Sequence, residues 1–199
     1  MDKKLILFVF VTILLLGLVT VSAVGAYLLV GINDDNKFII EGNQSHEGEI
    51  SGSMDVEIKN SAKQVGDIII DEGNVTIGSN SIIEGNISII EGNLTIDNST
   101  TVTGEIIVKD GNVTVNGNGQ YQSITIDDGN MTAGNSNQFG SIQTASGNIT
   151  FGSNNTVKGD LSADNGNVVM SNSNTISGDI KTENLTMMGN HNIQGEYPK

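Results

Sequence analysis

Cysteine is absent from this chain, and proline occurs once, at position 198. Without cysteine the protein has no disulfide, no thiolate metal site and no cysteine nucleophile. A disordered glycine-rich chain would carry more proline and far less isoleucine and valine. The 25 glycines of this chain instead stand between β-branched residues, a pattern that predicts many short strands joined by tight turns.

Charged residues are also scarce, at 16% of the chain, and the net charge is −14. An acidic surface repels phosphate backbones, so the composition argues against a nucleic-acid partner. The two histidines, His46 and His191, lie towards opposite ends of the chain, and we expect both to be solvated polar residues. With no candidate pair of acid and base and no metal-ligand cluster, the sequence predicts a protein that is not an enzyme and that has no cofactor.

Residues 5–30 form an almost wholly apolar run without a charge. A helix of this length exceeds the hydrocarbon core of about 30 Å, so the run predicts a single-pass transmembrane anchor. Lys3 and Lys4 place residues 1–4 in the cytoplasm and everything after about residue 33 outside. A cleaved signal peptide is the alternative, although its apolar core is typically only about 7–15 residues. With the anchor at residues 5–30, residues 31–37 are predicted to be a short polar linker.

An internal repeat runs through residues 38–199, which we predict to be one domain. The motif Gly-Asn-apolar-Thr occurs at 73–76, 92–95, 111–114, 129–132 and 147–150, and continues with one substitution each at 166–169 and 183–186. Successive copies are 17–19 residues apart. A period of this length with a strand-like composition predicts a solenoid.

Aligned copies of the repeat share five apolar columns, which begin at Val56, Ile58, Val65, Ile68 and Ile70. Two pairs of columns are two residues apart, and this spacing puts both members of a pair on one face of a strand. The sequence therefore predicts an all-β, single-stranded parallel β-helix with three sides and about nine rungs. We expect the glycine and asparagine of the motif at corners with positive φ, and the asparagines to form a ladder.

Acidic residues form two further columns, both facing outward. One contains Glu49, Asp67, Glu105, Asp160, Asp179 and Glu196, and the other contains Asp71, Glu91, Asp110, Asp128, Asp164 and Glu183. A solvated acidic face is the simplest interpretation, and weak Ca²⁺ or Mg²⁺ binding between rungs is the alternative. The glycine-rich nonapeptide of calcium-binding β-rolls is absent, so no metal site is predicted.

A second motif, apolar-x-Gly-(acidic or Asn)-apolar, occurs at 83–87, 102–106, 157–161 and 176–180, with a shorter form at 65–68. With the polar runs before it, it resembles the bactofilin family of polymer-forming cytoskeletal proteins over about residues 47–197. The resemblance implies a right-handed, three-sided β-helix that joins end to end into filaments without nucleotide, often at a membrane. It implies no catalytic residue. Bactofilins act in the cytoplasm, whereas the charge rule places this domain outside, so a typical bactofilin would instead lie on the cytoplasmic face.

The C-terminal rung is the predicted polymerisation interface. Leu185, Met187, Ile193 and Tyr197 continue the apolar columns, and no covering segment follows them. The sequence thus predicts a membrane-anchored, self-assembling scaffold whose partners are further copies of itself and the membrane. A cell-surface adhesion solenoid that binds glycans or envelope components is the alternative. A hexapeptide-repeat acyltransferase fits less well, because that class needs a regular hexad and a histidine base.

Ten Asn-x-Ser/Thr sequons are candidate N-glycosylation sites in an exported domain. They are Asn43, Asn74, Asn86, Asn93, Asn98, Asn112, Asn130, Asn148, Asn154 and Asn184.

Overall fold

The structure, a computed structural model, describes residues 30–32 and 36–198. This part of the chain contains strands and no helix. The strands wind into a parallel β-solenoid of about 8 turns, which confirms the predicted all-β repeat fold. The number of turns falls short of the nine predicted rungs because the last coil ends in the two-residue strand Asn192–Ile193 without completing its third side.

Each coil contributes strand segments to three parallel stacks, and some long strands serve two stacks. In chain order the strands are β1 Val30–Ile32, β2 Lys37–Ile40, β3 Ser45–Glu47, β4 Ile50–Gly52, β5 Asp55–Ile58, β6 Lys63–Val65, β7 Ile68–Glu72, β8 Val75–Ile77, β9 Ile82–Glu84, β10 Ile87–Glu91, β11 Leu94–Ile96, β12 Thr101–Val102, β13 Ile106–Asp110, β14 Val113–Val115, β15 Gln120–Asp128, β16 Met131–Ala133, β17 Gln138–Ser146, β18 Ile149–Phe151, β19 Thr156–Val157, β20 Leu161–Met170, β21 Thr175–Ile176, β22 Ile180–Met187 and β23 Asn192–Ile193.

The core is a continuous stack of aliphatic side chains along the inside of the coils. In the middle of the rod, Leu94 pairs with Val113 and Ile96 with Val115, and all four side chains are fully buried. The other two stacks have the same in-register pairing, as between β10 and β13. No coil buries its apolar face alone, so the fold depends on stacking neighbours.

One column departs from the prediction in the early coils. Val65 was predicted to point inward, but Gln64 takes that place, pairs with Ile83 and is fully buried, while Val65 is only half-buried. The Gln64 amide donates to the carbonyl oxygens of Gly48 and Gly66, and its Oε1 lies 2.8 Å from Nδ1 of His46. A buried polar side chain is tolerated when it is hydrogen-bonded in this way. A prediction that assigns inward positions only to apolar residues does not detect such a side chain.

Positive φ recurs mainly at two corners, and Gly48 and Gly66 adopt it at the third. Most repeat glycines adopt it, as at Gly92 and Gly111, but the asparagines that follow them do not, so the prediction for those asparagines was wrong. Their backbone already belongs to the ladder, since the amide of Val75 donates to the carbonyl of Asn93. A second corner instead carries one left-handed residue per coil. These residues are Asn43, Ser61, Asn80, Ser99, Asn118, Ser136, Asn154 and Ser173.

Tyr121 is a second unusual member of the inward column that contains Gln64, and its neighbours in register are Val102 and Phe139. Its ring stacks on Phe139 with centroids 5.3 Å apart. The phenol oxygen is buried without a hydrogen-bond partner, and this burial raises the pKa of Tyr121. A Cβ atom at Gly119 would overlap the phenol, so that glycine leaves the room that the ring occupies.

Tyr121→Phe should therefore raise the free energy of unfolding by about 1 kcal/mol, because a buried hydroxyl without a partner carries a desolvation cost of about 1–3 kcal/mol. Urea unfolding followed by circular dichroism measures the change. Tyr197→Phe is the control, since Tyr197 is 40% exposed and its hydroxyl is not forced out of water. A Tyr121→Phe variant less stable than the wild type would show that the hydroxyl has a partner.

Candidate functional site

The last coil brings together the four residues predicted as a polymerisation interface. Leu185 and Ile193 are partly buried and pack against the core. Met187 and Tyr197 are 39% and 40% exposed. Sequence reasoning missed Met188, which is exposed beside Met187, because it lies one position beyond the inward column. The four residues occupy one end of the rod, and their role as an interface stays a prediction.

Their exposure follows from the position of the coil. Met187 pairs with Met170, which itself pairs with Phe151 on its other side and is fully buried. In the part of the chain that the structure describes, Met187 has a neighbouring coil on one side only. Likewise, within residues 36–198, β23 pairs with β21 and with no other strand. This end therefore offers free backbone groups and apolar side chains together.

The N-terminal end of the rod is different, because β1 covers part of it. β1 pairs antiparallel with β2, and Val30, Gly31 and Ile32 lie opposite Ile40, Ile39 and Phe38. Val30 is the last residue of the predicted anchor, and residues 31 and 32 belong to the predicted linker. The rest of the anchor lies outside the described residues. Among the residues that are described, none belongs to a helix long and apolar enough to span a membrane.

The described residues contain no cluster of three or more His, Asp or Glu side chains suited to a metal ion. His46 was predicted to be solvated, but it is 5% exposed, bonded to Gln64 and edge-on to Phe38. The prediction is also wrong for His191, whose ring nitrogens are shielded from solvent without a hydrogen-bond partner. A shallow depression of about 260 Å³ has Lys158 as the one charged residue in its lining.

The acidic columns have a different composition from the predicted one. Strand pairing aligns Glu72, Glu91, Asp110 and Asp128, so Glu72 replaces Asp71. The next coil continues this column with Ser146, and Asp164 lies outside it. In the other column, the three aspartates Asp67, Asp160 and Asp179 each accept a backbone N–H of the next coil, as from Asp179 to Asp160 at 2.9 Å. At these positions the carboxylate oxygen accepts the same kind of hydrogen bond between coils that an asparagine Oδ1 accepts, as from Asn112 to Asn93.

The sequons fall into two structural groups. Seven asparagines donate an Nδ2–H to an oxygen of the preceding coil, and these are Asn74, Asn86, Asn93, Asn112, Asn130, Asn148 and Asn184. Asn43, Asn98 and Asn154 are exposed, and their Nδ2 atoms make no such bond. The predicted ladder is thus present, and it engages most of the candidate glycosylation sites.

Comparison with protein-family models, with curated proteins and with solved structures finds no match to this chain.

Proposed function

We propose that this protein is a membrane-anchored structural scaffold that assembles end to end through its C-terminal coil. The observation that carries the proposal is the last coil, where Met187 and Tyr197 expose apolar surface next to the free edge of β23. Strand edges of this kind are templates for pairing with another chain unless charge, proline or a covering segment blocks them. A second copy could cover Met187 as Met187 covers Met170 if its β2 exchanged the antiparallel pairing with β1 for a parallel pairing with this coil.

The rod itself supports a structural role. Within the described residues its inward columns are filled by aliphatic and aromatic side chains, and its two histidines are engaged or shielded. In this proposal the apolar run at 5–30 holds the rod at a membrane, and the domain after residue 33 lies outside the cytoplasm. The solenoid is right-handed and polymerises without nucleotide, as in the bactofilins that its repeat resembles.

Met187→Lys should block assembly while leaving the fold almost as stable as the wild type. A lysine at this position would bring a charge against apolar atoms of the incoming coil, and burying it there is costly. Terminal elements fray more readily than the middle of a fold, and within residues 36–198 this coil has a neighbour on one side only, so we expect a loss of less than about 0.5 kcal/mol in stability. Sedimentation velocity and negative-stain microscopy of the purified full-length chain in detergent measure the assembly, and thermal melting measures the fold.

Ile96→Lys is the matched control, because Ile96 is fully buried in the same inward column at mid-rod. That substitution should destabilise the domain by several kcal/mol. Wild-type chain that stays monomeric at high concentration would overturn the scaffold proposal and favour the surface-binding alternative. A Met187→Lys variant that assembles like the wild type would place the interface at another surface.

A further inference from the structure

One stack of parallel strands runs from the first coil of the rod to the last. It begins at β2 and ends at β22, and every strand between them is parallel to its neighbours and in register. Followed along the rod, this register places Phe38 in the same inward column as Leu185. It also places Ile40 in the same inward column as Met187. A second copy that continued the stack would therefore add its β2 to β22 at the ordinary spacing of about 4.8 Å.

The two ends of these columns differ in exposure. Met187 is 39% exposed at the C-terminal end, whereas at the N-terminal end Ile40 is fully buried and Phe38 is 7% exposed. β2 has a strand on each side, because β5 pairs with it in parallel and β1 pairs with it antiparallel. The edge of β2 that a second copy needs is thus already paired within the single chain.

The two pairings of this edge exclude each other. A strand has two edges, and the backbone N–H and C=O groups of one edge form the ladder with one neighbouring strand. β5 takes one edge of β2, so β1 of the same chain and β22 of another copy compete for the other. A rod whose β1 lies on β2 cannot receive the C-terminal coil of a second rod in register.

β1 is a small and separable cover. It consists of three residues, and it closes only one of the three strand edges of the first coil. Among the described strands, β3 pairs with β6 alone and β4 pairs with β7 alone. Short strands at the end of a fold open at a low free energy while the rest stays folded. The fraction of chains in which β1 has opened then sets the apparent affinity for a second copy.

We propose that β1 is an autoinhibitory cap, which raises the concentration at which the rods assemble by occupying the edge of β2. This inference rests on the proposed end-to-end assembly. It adds the surface of the second copy that receives the C-terminal coil, namely β2, and the device that controls access to this surface.

A disulfide that locks β1 onto β2 tests the cap. Gly31 lies directly opposite Ile39, and opposite residues of antiparallel strands have Cα atoms about 4.5–5.5 Å apart, within the range of about 4.4–6.8 Å that a disulfide spans. The chain has no cysteine, so Gly31→Cys/Ile39→Cys introduces the only possible pair. Mass spectrometry and non-reducing electrophoresis verify the bond within one chain.

Sedimentation velocity of this variant, as full-length chain in detergent, compares the oxidised and reduced forms. The oxidised form should stay monomeric at concentrations at which the reduced form assembles, because β1 can then no longer leave β2. The reduced form is the matched control, since it carries the same two substitutions.

Gly31→Pro/Ile32→Pro should have the opposite effect. Adjacent residues of a strand direct their N–H groups to opposite sides, so one of the two prolines removes a donor to β2, and both fix φ near about −65°, away from the strand value of about −140°. Assembly should begin at a concentration lower than that of the wild type, by a factor on the order of ten if about nine chains in ten are capped. Gly31→Ala/Ile32→Val, which keeps the strand, should assemble like the wild type.

The outcomes separate the cap from the assembly itself. Equal assembly of the oxidised and reduced forms would overturn the cap and leave the end-to-end scaffold standing. Failure of the disulfide to form within one chain would also overturn it, because β1 would then not lie on β2. If the wild type, the reduced form and the proline variant all stay monomeric at high concentration, the scaffold proposal fails, and the cap fails with it.

Discussion

Val113→Asp is expected to leave the domain largely unfolded. Val113 is fully buried between Leu94 and Met131 of the neighbouring coils. A carboxylate at this position would have no partner among stacked aliphatic side chains, and it would either be buried at a cost of several kcal/mol or be forced to take up a proton. This cost is comparable to the whole stability of a typical domain, about 5–15 kcal/mol. Circular dichroism during thermal melting measures the loss, and Ile106→Asp should behave in the same way.

Thr95→Asp is the control for this prediction. Thr95 lies in the adjacent coil and points outward from its strand between Leu94 and Ile96. A carboxylate at this position stays in water, so the change should be about 0.5 kcal/mol. A Val113→Asp variant with the melting midpoint of the wild type would place Val113 outside the core and would contradict the inward columns.

Gly111→Ala has the second largest expected effect, a loss of about 2–5 kcal/mol in the free energy of unfolding. The φ of Gly111 is 152°, a conformation that side chains rarely adopt. A Cβ atom at this position would also overlap the carbonyl oxygen of Gly92 in the preceding coil. Since backbone atoms on both sides are fixed by the ladder, neither coil can move aside without breaking its pairing. Urea unfolding of the variant measures the loss.

Gly117→Ala is the comparison in the same coil. Gly117 does not have a positive φ, and a Cβ atom there would meet the Asn135 carbonyl oxygen at 3.0 Å. A small shift of the corner relieves that contact, so we expect a loss of less than about 1 kcal/mol. Equal losses in the two variants would contradict the close approach of the glycine column as the cause.

The solenoid was predictable because stacking repeats the same environment in every coil. Column spacings of two residues and a period of 17–19 residues are enough to predict parallel strands in register, and Leu94, Val113 and Met131 confirm this alignment. The prediction for Val65 was wrong because the column was assigned by hydrophobicity, although Gln64 is the residue in register with Ile83. A polar residue such as Gln64 can turn inward when backbone carbonyls satisfy it. In the acidic column, likewise, the register selects Glu72 and not its acidic neighbour Asp71.

The candidate interface was predictable only in part. The positions of Leu185, Met187 and Ile193 follow from the repeat, and the structure places them in the last coil. The antiparallel cover of β1 over β2 was not predicted, because residues 30–32 lie outside the repeat and share none of its periodicity. Tyr121 presents a similar limit, since the column pattern shows that its ring points inward but not that its hydroxyl lacks a partner.

The sequence by itself determined the class of fold, the period of the coil and the identity of most inward residues. These properties depend on local spacing and hydrophobicity, which repeat along the chain and can be read from one coil to the next. The tertiary structure alone decided which polar groups meet between coils: the His46–Gln64 pair, the continuous asparagine ladder beside unpaired threonine hydroxyls, and the contrast between a covered and an open end. Hydrogen bonds between coils depend on corner geometry at a scale of tenths of an ångström, and a pattern of residue types does not contain that information.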